Sequence, residues 1–198
     1  TQQLQDTLKE KGLFYPPDPA SRGSCFIGGN VAENSGGPKA LKYGVVKDYV
    51  LNLEIVIPTG EIFWTGANVL KNVTGYNLTQ LIVGSEGTLA FITKIVLRLL
   101  KYPIQNSLVF AYFDDIHHCI SIVSKIFKKG FQPSALEFME VKGIELVNLH
   151  FPHLKMHIPE GAQAALLIEI DGFDLALVEA QTLALSEFLF EAQTLDIL

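Results

Sequence analysis

Ser24-Cys25-Phe26-Ile27-Gly28-Gly29-Asn30-Val31-Ala32-Glu33-Asn34-Ser35-Gly36-Gly37 is the densest signal in the chain. Two glycine pairs within ten residues, separated by small and amide side chains, let a backbone fold tightly and point several N–H groups at one anion or ring edge. A second stretch, Val83-Gly84-Ser85-Glu86-Gly87-Thr88-Leu89, is a glycine turn that runs straight into a strand. Two such turns can clasp one flat, charged cofactor. Neither carries a known phosphate fingerprint. No G-x-G-x-x-G opens a helix and no G-x-x-x-x-G-K-[ST] occurs, which excludes a Rossmann NAD site and a P-loop.

Around these stretches lies a chain of 198 residues, 48% hydrophobic and 18% charged, enough for one large core or two small ones. Its formal net charge of −6 argues against nucleic acid or anionic lipid as a general partner. Cys25 and Cys119 form no C-x-x-C pair, so neither a disulfide framework nor a zinc ribbon is expected. The longest apolar runs are too short to span a bilayer and the first dozen residues are polar, so the expected location is cytoplasmic. The chain opens on Thr1 and stops at Leu198 inside an amphipathic pattern without a glycine or proline stop, and so reads as an interior piece of a longer protein.

Glycine divides the sequence. Twelve of sixteen glycines precede residue 100 and all five histidines follow it, placing a boundary near Tyr102-Pro103. In the first half, Gln3 to Lys11 reads as a helix closed by Gly12, and Tyr15 to Pro19 must be extended. Tyr49, Leu51, Leu53, Ile55 and Ile57, with Asn52 and Glu54 intervening, read as one buried strand face. Pro58-Thr59-Gly60 turns that strand into Glu61 to Trp64. Asn77 caps a short helix through Leu81, and Leu89 to Leu100 reads as one long strand. The second half alternates strand and helix: 107–113, 116–129, 134–139, 141–148, 164–170 and 174–190. The expected architecture is α+β, with antiparallel pairing and helices on one face of the sheet.

Five motifs in order carry a resemblance. They are Pro17-Asp18-Pro19-Ala20-Ser21, Ile27 to Gly37, Lys42-Tyr43-Gly44, Lys71-Asn72-Val73-Thr74-Gly75-Tyr76-Asn77-Leu78, and Gly84-Ser85-Glu86-Gly87-Thr88-Leu89. Together they resemble the FAD-linked oxidases of the vanillyl-alcohol-oxidase type, on the side of the glycolate oxidase flavin subunit and the D-lactate and D-2-hydroxyglutarate dehydrogenases. Ala135 to Met139 and Leu166 to Gly172 resemble the start of that family's cap domain.

The resemblance implies that residues 1–102 are part of an FAD-binding domain, its second subdomain, and that 103–198 are an incomplete α+β cap. It implies FAD, held by Pro17, Asp18, Ser21, Ile27, Gly28, Gly29, Asn30, Asn34, Gly36, Gly37, Tyr43, Gly44, Gly84, Glu86, Gly87 and Ile92. It implies a small 2-hydroxy-acid substrate oxidised by hydride transfer to flavin, and allows an electron-transfer or iron–sulfur subunit, a homo-oligomer, and a membrane-peripheral location through such subunits. The alternatives are an oxidase of the same fold acting on an alcohol or sugar, and a catalytically silent interaction fragment. The family's proline-plus-glycines pyrophosphate loop and its metal-binding histidine motif are absent, and Ala90 stands where a glycine is usual. No catalytic residue is therefore assigned within the chain.

Other candidates have plainer readings. His150, His153 and His157 are interrupted by Pro152 and read as a solvated loop rather than a metal set. Arg22 and Arg98 are the only arginines, Arg22 being placed to face a cofactor phosphate. Cys25 has no neighbour in sequence that would lower its pKa and reads as a small buried residue. Apolar surface on the last helix, including Leu183, Leu185 and Leu189, is expected to lose part of its cover and to drive self-association.

Overall fold

The computed structural model describes residues 1–198, which form two compact units, Thr1–Tyr102 and Pro103–Leu198.

In the first unit the chain begins with α1 (Gln2–Lys9) and β1 (Leu13–Phe14). Gly12, at φ +69°, makes the reversal between them. The glycine-rich stretch then holds α2 (Ile27–Glu33) and is followed by α3 (Ala40–Tyr43). Three antiparallel strands, β2 (Val50–Val56), β3 (Ile62–Trp64) and β4 (Phe91–Leu97), make a sheet in the order β3-β2-β4. Between β3 and β4 lies α4 (Leu78–Ile82), capped by Asn77, whose Oδ1 accepts from the Gln80 N–H at 3.0 Å. Val31 of α2 and Ile82 of α4 pack with Val50, Leu53 and Ile55 into the core. β5 (Leu100–Lys101) pairs with β1, closing a second cluster around Leu8, Tyr15 and Tyr49.

Two expectations for this sheet change. The alternation at Tyr49–Ile57 breaks because Leu51 is an extra residue in β2, so Val50 joins Leu53 and Ile55 in the core while Leu51 is half-buried. Asn52, expected among the exposed positions, is 3% exposed. Its Oδ1 accepts from Leu53 N–H at 2.9 Å and Gly66 N–H at 2.7 Å, and its Nδ2 donates to Asn68 Oδ1 at 2.9 Å. The long strand expected over Leu89–Leu100 is instead two pieces, β4 and β5, because β4 turns from pairing with β2 before β5 reaches β1.

The second unit follows the expected alternation closely: β6 (Gln105–Phe113), α5 (Ile116–Lys128), β7 (Ala135–Glu140), α6 (Val141–His150), β8 (Ala164–Gly172), α7 (Leu175–Glu191) and β9 (Asp196–Ile197). Asp115 and Asp174 cap α5 and α7, each accepting a backbone N–H three residues on. The sheet order is β7-β8-β6-β9, all antiparallel. Helices cover both faces rather than one. Val109, Ala111, Phe113, Leu166 and Ile168 pack on α5 and α7. Phe110, Tyr112 and Ala165 point the other way onto Val141 and Ile144 of α6.

The last helix also departs from expectation. Leu185 and Leu189 are fully buried by their own unit, and of the three leucines only Leu183 is exposed. α7 does have a stop, at Ala192, after which Gln193 takes φ +61° and the chain returns as β9.

Candidate cofactor-binding site

The site is built on α2. Phe26 precedes the helix in an extended conformation and offers no side-chain cap, so the first N–H groups of Ile27, Gly28 and Gly29 are left without a capping side chain. A Cβ built on Gly28 or on Gly29 would meet no atom of the chain within 4 Å. The two glycines thus present bare main chain to open space. Val31, two residues on, is fully buried and locks the helix to the sheet. The stretch expected to be a tight glycine turn is therefore a helix entry, held helical by the burial of Val31 despite the poor intrinsic preference of glycine.

The C-terminal end of α2 is closed by the second glycine turn. Gly84 N–H donates to Val31 C=O at 3.0 Å and Glu86 N–H to Ala32 C=O at 2.9 Å. This requires left-handed backbone at Gly84 (φ +79°), Glu86 (φ +52°) and Gly87 (φ +74°). Asn34, itself left-handed at φ 54°, ends the helix, and its Oδ1 accepts the Lys47 N–H at 2.8 Å. The two glycine segments touch each other directly rather than across a ligand at this end.

Several residues expected to hold the cofactor have structural duties. Asp18 is 9% exposed and its Oδ1 accepts Lys39 N–H at 3.2 Å. Burial pushes its carboxyl above the ordinary value, opposed by that hydrogen bond and by the charges of Lys39 and Arg22. Gly37 has no room for a side chain because Asp18 fills it, and Gly44 none because Asp48 does. Gly36 faces Val45 at ordinary contact distance. Pro17 C=O accepts from Gln5 Nε2 at 2.8 Å, and Ser21 C=O accepts from Ser24 and Cys25 N–H, both at 2.8 Å. Tyr43 C=O accepts the Tyr49 hydroxyl at 2.6 Å. The Asn30 amide is buried and donates to the Thr1 hydroxyl, and the Ile92 side chain packs on the core. Ile27 is half-buried and packs beside Tyr15 and Tyr49, while Gly28, Gly29, Glu86 and Gly87 remain open to a ligand.

Cys25 differs from its sequence reading. Hydrogen bonding to the Thr1 hydroxyl, with Asn30 and Ser21 also contributing, holds its thiol below the ordinary value. Near it the Tyr15 hydroxyl is buried without a hydrogen-bond partner, and burial raises its pKa. Arg22 lines a cleft of about 220 Å³ with Lys9, Lys39 and Asp18. His150 ends α6 and His153 lies in the turn after it. No group of three or more His, Cys, Asp or Glu side chains gathers to hold a metal ion. The buried trio Asn52, Thr65 and Thr79 escaped the sequence reading. The only local hint was an amide inside an apolar strand.

A bare glycine helix entry, closed behind by a left-handed turn and lined by main-chain donors, fits a ligand recognised through phosphate oxygens and heteroaromatic edges. That is the chemistry of a dinucleotide cofactor module. Residues 1–66 match the family described as FAD binding domain, and residues 103–197 match FAD linked oxidases, C-terminal domain. The chain belongs to the FAD-linked oxidase family, whose cofactor is FAD.

Among curated relatives, the glycolate oxidase subunit GlcD of Bacillus subtilis (strain 168) is 42% identical over 165 residues, 83% of this chain and 34% of that protein. A D-lactate dehydrogenase of Anaerostipes hadrus is 37% identical over 199 residues, 98% of this chain and 42% of that protein. This chain therefore spans about a third to two fifths of their length. A solved structure of alkyldihydroxyacetonephosphate synthase superposes with a TM-score of 0.77 at 22% identity, covering 100% of this chain and 40% of that one, a likeness of fold. No helix of the chain is long and apolar enough to cross a membrane.

Proposed function

We propose that the whole protein is an FAD-dependent oxidoreductase acting on a small 2-hydroxy acid of the glycolate, D-lactate or D-2-hydroxyglutarate class. The observation that carries this reading is the pairing of a bare glycine helix entry with two relatives whose named substrates, glycolate and D-lactate, are both 2-hydroxy acids. When bound, the flavin supplies a two-electron acceptor for the hydride from the α-carbon.

The chain's own residues supply the clasp. The Ile27, Gly28 and Gly29 N–H groups donate to the cofactor, and the absence of Cβ atoms lets it approach. The Gly84 to Gly87 turn holds the far end of α2 by its bonds to Val31 and Ala32. Asp18, beneath Lys39, fixes the Pro17–Ser21 segment against Gly37. Of the remaining residues assigned to the site, Asn30, Asn34, Gly36, Tyr43, Gly44 and Ile92 act as its frame. In this reading 1–102 is the second subdomain of an FAD-binding domain and 103–198 the start of a cap. An electron-transfer or iron–sulfur subunit takes the electrons at a cytoplasmic, membrane-peripheral site. The test is the visible spectrum of the purified whole protein. Flavin bands that bleach with glycolate, D-lactate or D-2-hydroxyglutarate are expected. A colourless protein, or bands inert to all three acids but bleached by an alcohol or sugar, would overturn the assignment.

A further inference from the structure

The clasp proposed above uses neither cysteine, and the two differ in their surroundings. Cys119 is fully buried in the core of the second unit. Cys25 is only partly buried and lies two residues before α2. Its thiol donates to the Thr1 hydroxyl oxygen at 3.3 Å, and the Asn30 amide donates to that same oxygen. The Ser21 and Asn30 side chains also hydrogen-bond the sulfur, and together these bonds favour the thiolate. An accessible thiol held among hydroxyl and amide groups is the form in which cysteine meets oxidants.

Beside it is a hydroxyl with nothing to bond. Tyr15 is 0% exposed, and its hydroxyl has no hydrogen-bond partner. A buried donor without an acceptor is costly, and its presence needs a reason. Two titratable neighbours act on it electrostatically, Tyr49 and Cys25. Tyr49 is committed elsewhere, its hydroxyl donating to Tyr43 C=O at 2.6 Å. Cys25 is left, and in the reduced chain its sulfur is a weak acceptor beyond hydrogen-bond reach of Tyr15. One oxygen atom bonded to that sulfur would supply the acceptor that Tyr15 lacks.

We propose that Cys25 is a reversible redox-modification site, oxidised by hydrogen peroxide to a sulfenic acid whose oxygen is held by the Tyr15 hydroxyl and by the Thr1 and Asn30 side chains. The thiolate sulfur bonds to one peroxide oxygen as the O–O bond breaks. Sulfur loses two electrons, peroxide gains them, and the departing hydroxide takes a proton from solvent to leave as water. Two equivalents of a thiol reverse the change, the first releasing water to give a mixed disulfide and the second releasing the reductant's own disulfide. Ser21 closes the Pro17–Ser21 segment and Asn30 is the fourth residue of α2, so the oxidised sulfur ties that segment to the helix. The proposal does not depend on which cofactor or substrate the whole protein uses.

The test treats the reduced 198-residue chain with hydrogen peroxide in the presence of dimedone, which traps sulfenic acids, and maps the adduct by mass spectrometry. Trapping is expected at Cys25, about tenfold faster than at Cys119 and about tenfold faster than at Cys25 of the chain unfolded in urea. Tyr15→Phe removes a hydroxyl that bonds to nothing in the reduced chain, so its urea midpoint should hold or rise, which shows that the variant folds. Without dimedone, the same variant should pass from sulfenic to sulfinic acid about fivefold faster under further peroxide, because the oxygen has lost its buried donor. Thr1→Val should slow the first oxidation by about fivefold. No adduct at Cys25, or equal rates in the folded and unfolded chain, overturns the proposal. So does a Tyr15→Phe sulfenic acid as long-lived as that of the unaltered chain, since exposure of the thiol alone would then account for its oxidation.

Discussion

Gly29 and Gly37 sit eight residues apart in one motif, yet the structure gives them opposite duties, and alanine at each position separates them. Gly29 is the third residue of α2, has no left-handed backbone, and would place a Cβ in open space. Alanine favours a helix interior over glycine by ~1 kcal/mol. About half of that is expected in a first turn, so Gly29→Ala should stabilise the ligand-free chain by ~0.5 kcal/mol. At Gly37 the new Cβ would overlap the Asp18 carboxylate and also the Asp18 main chain, which a rotamer change cannot relieve. Overpacking of this kind costs about 2 kcal/mol.

Trp64, the only tryptophan, lies in the first unit and reports its unfolding by fluorescence. With a urea slope of roughly 2 kcal/mol per molar, the midpoint should rise by about 0.25 M for Gly29→Ala and fall by about 1 M for Gly37→Ala. FAD titration of the whole protein should invert the order at Gly29, the more stable variant binding more weakly. A destabilised Gly29→Ala, or an unchanged midpoint for Gly37→Ala, would refute the packing argument. Undiminished FAD affinity in Gly29→Ala would show that α2 does not face the cofactor.

Asn52→Ala removes the acceptor of Gly66 N–H and the partner of Asn68, while Leu53 N–H keeps Thr65 Oγ1 at 3.2 Å. The loss should be about 2 kcal/mol with faster amide exchange over 66–77, and a loss below about 0.5 kcal/mol would contradict the anchoring role. Asp18 has a pKa raised in the folded state, so the folded chain binds the proton more tightly and stability falls as pH rises from the ordinary carboxylate range through the raised value. Asp18→Asn keeps an acceptor for Lys39 and should flatten that slope in urea midpoints taken between about pH 4 and pH 7; an unchanged slope would assign it elsewhere. Burial pushes the Cys119 thiol up to about 11 while the Cys25 thiol lies below its ordinary value, so iodoacetamide at pH 8 should label Cys25 about a hundredfold faster, and equal rates by mass spectrometry would contradict both environments. Asp174→Ala should cost about 1 kcal/mol through loss of the α7 cap, and an unchanged thermal midpoint would show that the cap is dispensable.

The second unit was legible almost residue by residue because its signals are local. Helix-length stretches free of proline, the Asp115 and Asp174 caps and short apolar strand runs each act within a few positions. Asn77 announced α4 in the same way. The family was legible because five motifs in a fixed order constrain far more than any glycine pair does alone.

What sequence could not reach depends on partners distant along the chain. Gly28 and Gly29 have loop-forming preferences, and only the burial of Val31 against β2, with Gly84 and Glu86 closing the helix end, makes them helical. Asn52 looks like a solvent-facing polar residue until Gly66 and Asn68 fold over it. Residues 141–148 read as a helix, but which face of the second sheet that helix would cover depended on which side of β6 and β8 remained open. The sequence alone thus determined the family, the strand–helix order of the second unit from β6 to α7 and the glycine-rich character of the cofactor segment, because periodicity, capping and motif order are short-range properties. Tertiary structure alone decided which of those glycines face open space and which are filled by Asp18 or Asp48, because the space beside a Cα is set by chain that returns from elsewhere.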